Sequence, residues 1–184
     1  LSATMPTRLT KLGAEAFSGN TKLAAFMFKG AKLTEIGAST FYACANIKEM
    51  IIPNGVTTIG DEAFSCCYKL TTINFPATVE TLGKNVFAYC EELADINVDK
   101  DNAAFATKYG VLYKKTGEII TELIYCPLAC DGNEGVVEIP ETVEIVADEA
   151  FSGNKLITEI IFKDSVSERE ITLGSRLFRN AINL

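Results

Sequence analysis

Three groups of side chains in this 184-residue sequence have the types and spacing to do chemistry. The first is cysteine: Cys44, Cys67 and Cys90 recur every 23 residues, Cys66 adjoins the second, and Cys126-Pro-Leu-Ala-Cys130 holds the last two. Cysteines can bind metal, close disulfides or act as nucleophiles. The second is paired carboxylates at Asp61-Glu62, Glu91-Glu92 and Asp148-Glu149; two acids facing across a cleft are the machinery of glycoside hydrolysis. The third is Asp99-Lys100-Asp101-Asn102, rich in the oxygen ligands calcium uses but without the regular spacing of a dedicated loop. Set against all three is the absence of histidine. That removes the commonest general base and zinc ligand and excludes Ser-His-Asp and Cys-His nucleophile systems. There is no Cys-x-x-Cys pair and no Gly-rich phosphate loop. No catalytic residue, metal ligand or cofactor is therefore assigned.

Composition narrows the partners. No apolar run approaches the 18 or more residues of a membrane span. A net charge of −7 and a pI near 4.7 argue against nucleic acid, which needs clustered Lys and Arg. The chain opens at Leu1 with neither an initiator Met nor a basic-then-apolar leader, and reads as a processed or trimmed piece.

The elements that position these residues are repeats. Phe17, Phe41, Phe64, Phe87, Phe151 and Phe178 are spaced by 24, 23, 23, 64 and 27 residues. Counting each Phe as zero, position −5 is always aliphatic (Leu12, Ile36, Ile59, Leu82, Val146, Leu173), and +6 is Leu or Ile. Positions +9 and +11 are apolar in five copies, as in Ile73 and Phe75, and that alternation predicts a strand with one buried face. One such strand per copy cannot bury its face alone, so copies must stack into parallel sheet. The segment around the Phe, such as Asp61 to Ser65, is short and predicts a single helical or 3₁₀ turn, with the Phe inward. Gly13, Gly37, Gly60, Gly83 and Gly174 hold −4, and since Ala147 replaces Gly in one copy, close packing explains them better than positive φ. Pro53, Pro76 and Pro140 end strands; Pro6 has the same offset and implies a strand before the first Phe.

The repeat reinterprets the chemistry. Cys44, Cys67 and Cys90 all lie at +3, where Asn20, Asn154 and Ala181 stand in other copies, so they read as a buried packing column, with Cys66 more reachable. Asp61-Glu62 and Asp148-Glu149 share −3 and −2, suiting the positive start of the turn rather than catalysis. Cys126 and Cys130 are left either free or joined in a small disulfide loop.

These residues resemble the BspA-like leucine-rich-repeat family of bacterial and some protozoan surface proteins. The resemblance rests on the form Ile-Gly-x-x-Ala-Phe-x-x-Cys-x-x-Leu-x-x-Ile-x-Ile/Phe-Pro, fullest from Ile59 to Pro76. It implies an α/β repeat solenoid: a right-handed stack of coils of about 23 residues with short parallel strands and short helical or 3₁₀ turns. It also implies a cell-surface or extracellular adhesion role. Residues 1–184 are expected to form one such domain, with an irregular insertion at 99–139. The insertion is expected to hold a hairpin turning near Lys115-Thr116-Gly117-Glu118, and Val136 to Pro140 to copy the repeat's strand.

The expected function is a non-catalytic module that binds protein or glycan on its sheet face. The rivals are a structural spacer in a larger surface protein and an enzyme using unpaired carboxylates. Positions +8 and +10 alternate with the buried ones and must point outward. Glu49, Ile51, Thr72, Asn74, Asp95 and Asn97 are the candidate binding residues on that face.

Overall fold

The computed structural model describes residues 1–30, 32–163 and 170–184. Two compact units emerge, Leu1–Leu93 with Asn97–Asn102, and Ala94–Ile96 with Ala103–Leu184. The first contains β1 (Ser2–Thr4), β2 (Ala25–Met27), β3 (Glu35–Ile36), β4 (Glu49–Ile51), β5 (Thr58–Ile59), β6 (Thr72–Phe75) and β7 (Thr81–Leu82). The division falls within β8 (Asp95–Val98). The order β4-β6-β8 makes one parallel face, and β3-β5-β7 makes a second, narrower ladder. Strand β1, implied by Pro6, pairs in parallel with β2, Ala3 opposite Phe26. Met50, Ile73 and Ile96 are buried while Glu49, Ile51, Asp95 and Asn97 are exposed, the alternation expected of a strand with one core face.

The segments around the phenylalanines are not helical, and no helix occurs among the described residues. Each is a chain of tight turns. Left-handed φ recurs at −2 and +2 in all six copies: Glu15 and Gly19, Ser39 and Ala43, Glu62 and Cys66, Asn85 and Tyr89, Glu149 and Gly153, Arg176 and Asn180. A left-handed residue every fourth position cannot continue a right-handed helix. Backbone donors then alternate in direction. In the Phe41 coil the N–H groups of Thr40, Tyr42 and Cys44 donate locally, to Gly37, Ser39 and Phe41, while those of Ser39, Phe41 and Ala43 donate to Asp61, Ala63 and Ser65 in the next coil, each at 2.8 Å. The Phe17, Phe41, Phe64 and Phe151 copies each make three such inter-coil bonds, which compensate the cost of the left-handed positions.

Inside these turns the Phe rings form a column. Phe17–Phe41, Phe41–Phe64 and Phe64–Phe87 stack at centroid distances of 5.7, 5.4 and 6.1 Å, nearly parallel. The −4 glycines are absent from the positive-φ residues, and close approach is the reason at Gly37, Gly60, Gly83 and Gly174, whereas a Cβ on Gly13 would meet nothing within 4 Å. A Cβ on Gly60 would sit 2.6 Å from the Ala38 nitrogen and 2.9 Å from the Gly37 carbonyl carbon. The backbone cannot yield there, so Gly60→Ala should destabilise unit 1 by about 1–3 kcal/mol in urea unfolding. An unchanged midpoint would mean the coils are not held in contact at −4. Ala147 is accommodated because its neighbouring strand, described next, stays extended instead of turning.

The second unit contains β9 (Phe105–Lys108), β10 (Val111–Thr116), β11 (Ile119–Tyr125), β12 (Val136–Ile139), β13 (Ile145–Val146), β14 (Glu159–Phe162) and β15 (Thr172–Leu173). Its five-stranded sheet runs β15-β13-β11-β10-β9, with β9-β10-β11 antiparallel and the rest parallel. The β10–β11 turn is Gly117-Glu118 between paired Thr116 and Ile119. The β9–β10 turn, Tyr109-Gly110, has φ of 51° and 78°, the signature of a two-residue hairpin loop with both centres left-handed. Strand β12 pairs with β14 in repeat register, Val137 opposite Ile160 and Ile139 opposite Phe162.

Candidate functional site

The sheet face of unit 1 is built by register. Glu49 lies opposite Thr72, and Ile51 opposite Asn74, because each coil advances by one repeat. Asn97 continues the second column, its side-chain amide donating to Asn74 Oδ1 at 3.2 Å. Glu49, Ile51 and Asn97 are exposed, and Thr72 and Asn74 half-exposed. Asp95 is exposed as well but belongs to the second unit. Ile51, at 62% exposure, and Met27, at 54%, stand as large apolar side chains in water on this face.

Between β2 and β4 the hydrogen-bonded ladder is broken. The rungs that join Met5 N–H to Met27 C=O at 2.8 Å and Ile52 N–H to Asn74 C=O at 3.0 Å have no counterpart from Phe28 N–H to Ile51 C=O among the described residues. Two features account for it. Phe26 and Phe28 place rings at both +9 and +11, where the next coil has Met50 and Ile52, and Phe26 packs edge-on against Phe17 and Phe41 at 4.8 and 4.7 Å. The Phe17-to-Phe41 copy is also one residue longer than the two that follow it. A cavity of about 830 Å³ lies against this part of the chain, lined by Thr4 of β1, by Met27, Phe28 and Lys29, and by Lys48, Glu49, Ile51 and Pro53. Sequence reasoning found Ile51 and Glu49 but missed the lysines and Phe28; the pairing of two Phe with a 24-residue spacing was the available signal.

Several of the residues that could do chemistry have structural partners. Asp61 Oδ1 accepts the Lys84 N–H at 2.8 Å, and Asp148 Oδ1 accepts the Ser175 N–H at 2.6 Å. With no helix to cap, these carboxylates instead satisfy a backbone donor of the following coil. Asp99 Oδ1 accepts the Asp101 N–H, Asp101 pairs with Lys100 at 2.9 Å, and Asn102 is buried with its amide on the Pro76 and Val79 carbonyls, 2.9 Å each. Cys126 and Cys130 are buried free thiols. The bond to Cys130 and burial push the Cys126 thiol up.

The +3 cysteines do more than fill space. Cys44, Cys67 and Cys90 donate S–H to the carbonyls of Phe17, Phe41 and Phe64 at 3.1, 3.2 and 3.1 Å. Burial raises Cys44 from 9.0 to about 11 and Cys90 to about 12, with Cys67 higher still. Cys66 is buried as well, at 9% exposure, so it is less reachable than its place beside the column suggests. Native Cys44, Cys67 and Cys90 should therefore alkylate at least about 100-fold more slowly than in urea. Because the fold favours the protonated thiols, their contribution to stability is complete below the ordinary value of 9.0 and is lost as pH rises through 11–12. Rapid native labelling at pH 8 would show the column to be open.

Six copies of the BspA-type leucine-rich repeat match residues 1–109 and 130–184. The chain belongs to this family. Solved structures agree on the fold. The pneumococcal vaccine antigen PcpA superposes with a TM-score of 0.75 at 25% identity, covering 100% of this chain and 49% of that one. A leucine-rich repeat protein of T. pallidum gives 0.63 at 20% identity, covering 100% of this chain and 77% of that one. A leucine-rich cell surface protein of Faecalibacterium prausnitzii A2-165 gives 0.55 at 21%, covering 100% and 65%. This BspA-type chain thus spans about half the length of the pneumococcal chain it matches. No curated protein matches it. In this chain the Phe turn, most of the −4 Gly and the +3 Cys or Asn lie where coils meet, and +8 and +10 point outward.

Proposed function

We propose that this BspA-type chain is a non-catalytic interaction module of a cell-surface or secreted protein, binding a protein or glycan on its sheet face. The observation that carries this reading is the pair of outward columns, Glu49 with Thr72 and Ile51 with Asn74 and Asn97, set at coil spacing on an otherwise self-satisfied stack. Contiguous apolar and polar groups left exposed on a rigid sheet suit recognition. Asp95 is proposed as a further contact. The description of the Faecalibacterium relative as a cell surface protein and of PcpA as a vaccine antigen supports the location. No helix among the described residues is long and apolar enough to cross a membrane.

The test begins with an array of matrix proteins and glycans. The selected ligand is then titrated against Ile51→Lys with Asn74→Lys, with folding checked by circular dichroism. At least about a ten-fold loss of affinity is expected from burying two lysines in an apolar and amide contact. Unchanged affinity in the folded double variant would remove the site from this face, and an array without any ligand would favour the spacer.

A further inference from the structure

We infer that the Phe-turn side of unit 1 carries a second binding site, formed by Tyr42, Tyr68 and Tyr89 with Glu62 and Glu91, which takes an arginine-bearing segment of a partner protein. The inference goes beyond the sheet-face reading and stands without it. Three observations carry it. The first is that the stack does not ask for these rings. Tyr42 lies at +1, Tyr89 at +2 and Tyr68 at +4. Other copies hold small residues at the first two offsets, Ser18, Ser65 and Ser152 at +1 and Gly19, Ala43 and Gly153 at +2. All three tyrosines are exposed, Tyr89 to 67%, so they add little to the core. Large rings held in water where the fold needs none suit a partner surface.

The second observation is that a fixed backbone brings the rings together. Ala43 N–H donates to Ser65 C=O and Cys66 N–H to Ala88 C=O, each at 2.8 Å, and Glu92 N–H donates to Tyr68 C=O at 3.2 Å. Three successive coils therefore lie side by side here, with Cys66 in the middle one, Tyr42 in the coil before and Tyr89 in the coil after. The Tyr42 and Tyr68 side chains both reach the Cys66 thiol, and hydrogen bonding to it is the first cause that raises both hydroxyls above their ordinary value. Tyrosines presented on a locked backbone lose little freedom on binding. The third observation is charge. Glu62 lies beside Tyr42 and Glu91 beside Tyr68, each raising the hydroxyl further. Both glutamates are exposed, and neither joins an ion pair among the described residues. Aromatic faces and carboxylates both attract cations. A planar guanidinium uses the two together, stacking on a ring while forking to a carboxylate, and an ammonium cannot fork.

The probe is an end-blocked Gly-Arg-Gly-Arg-Gly peptide, titrated at low salt into isotope-labelled protein and followed by NMR. Its counterpart carries citrulline, the uncharged isostere, in place of arginine. The arginine peptide should move the amide signals of Tyr42, Cys66, Tyr68 and Tyr89, and bind at least about ten-fold more tightly than the citrulline peptide. Tyr68→Leu with Tyr89→Leu should lower its affinity about ten-fold while circular dichroism stays unchanged, since neither ring is in the core. Glu62→Gln with Glu91→Gln should lower it by a similar factor and flatten the salt dependence, which keeps the test decisive if the leucine variant does not fold. Equal binding of the two peptides, binding of neither, signals that move only elsewhere, or indifference to both double variants would overturn the inference. A neutral glycan that moves these signals where the arginine peptide does not would assign the site to carbohydrate and overturn it as well. Ile51→Lys with Asn74→Lys should leave arginine-peptide affinity within about two-fold, so the failure of the sheet-face reading and of this one are told apart.

Discussion

Phe64→Ala should lower stability by about 3–5 kcal/mol in chemical denaturation. Phe64 is fully buried, with Phe41 stacked at 5.4 Å on one side and Phe87 at 6.1 Å on the other. Truncation removes the ring's transfer energy and also leaves a void that flanking coils, pinned by their backbone bonds, cannot close. Phe178→Ala supplies the internal comparison. That ring is 44% exposed, so its loss should cost clearly less. Equal losses at the two positions, or a loss under about 1 kcal/mol at Phe64, would contradict the stacked column.

Asn154→Ala should cost about 3–5 kcal/mol, although it deletes only a small polar side chain. Asn154 occupies the +3 place and is fully buried. Its amide donates to the Pro127 and Cys130 carbonyls at 2.7 and 2.8 Å, and its Oδ1 accepts from the Leu156 and Ile157 N–H groups at 2.8 and 2.9 Å. Alanine would strand several buried backbone groups at once, each with a desolvation cost. Asn154→Cys restores the thiol donor used at Cys67 and should recover part of the loss. A cost for Asn154→Ala no larger than that of an exposed polar residue would mean water reaches those carbonyls.

Much of this fold was legible because it depends on apolar periodicity. The Phe column, the burial of Met50 and Ile73 against exposed Ile51, the strand before Pro6 and the close approach at Gly60 all follow from side-chain volume recurring at fixed offsets. The expected helical turn failed for a physical reason. Its left-handed positions carry Glu62, Cys66, Ser39, Ala43 and Tyr89 as readily as Gly19, so no residue type announces them. What holds those residues is bonding to the next coil, a tertiary effect absent from any single copy. Asp61 was misread for the same reason, as the partner of a local dipole rather than of Lys84. Strand β9 was missed because Phe105-Ala106-Thr107-Lys108 has only one large apolar residue and no alternation to read. The candidate site was legible only in part. Outward columns follow from parity, but the missing rung between β2 and β4 is not encoded in periodicity.

The coils are locked to one another through alternate backbone donors, and the outward side of the strands is left exposed. Amide hydrogen exchange resolved by residue tests this most directly. The N–H groups of Ser39, Phe41, Ala43, Glu62, Phe64 and Cys66 should exchange as slowly as that of Ile73 in β6, and those of Glu49 and Ile51 on the open side of β4 should exchange faster. Fast exchange at Ser39, Glu62 and Cys66, at rates matching surface loops, would contradict the locked stack.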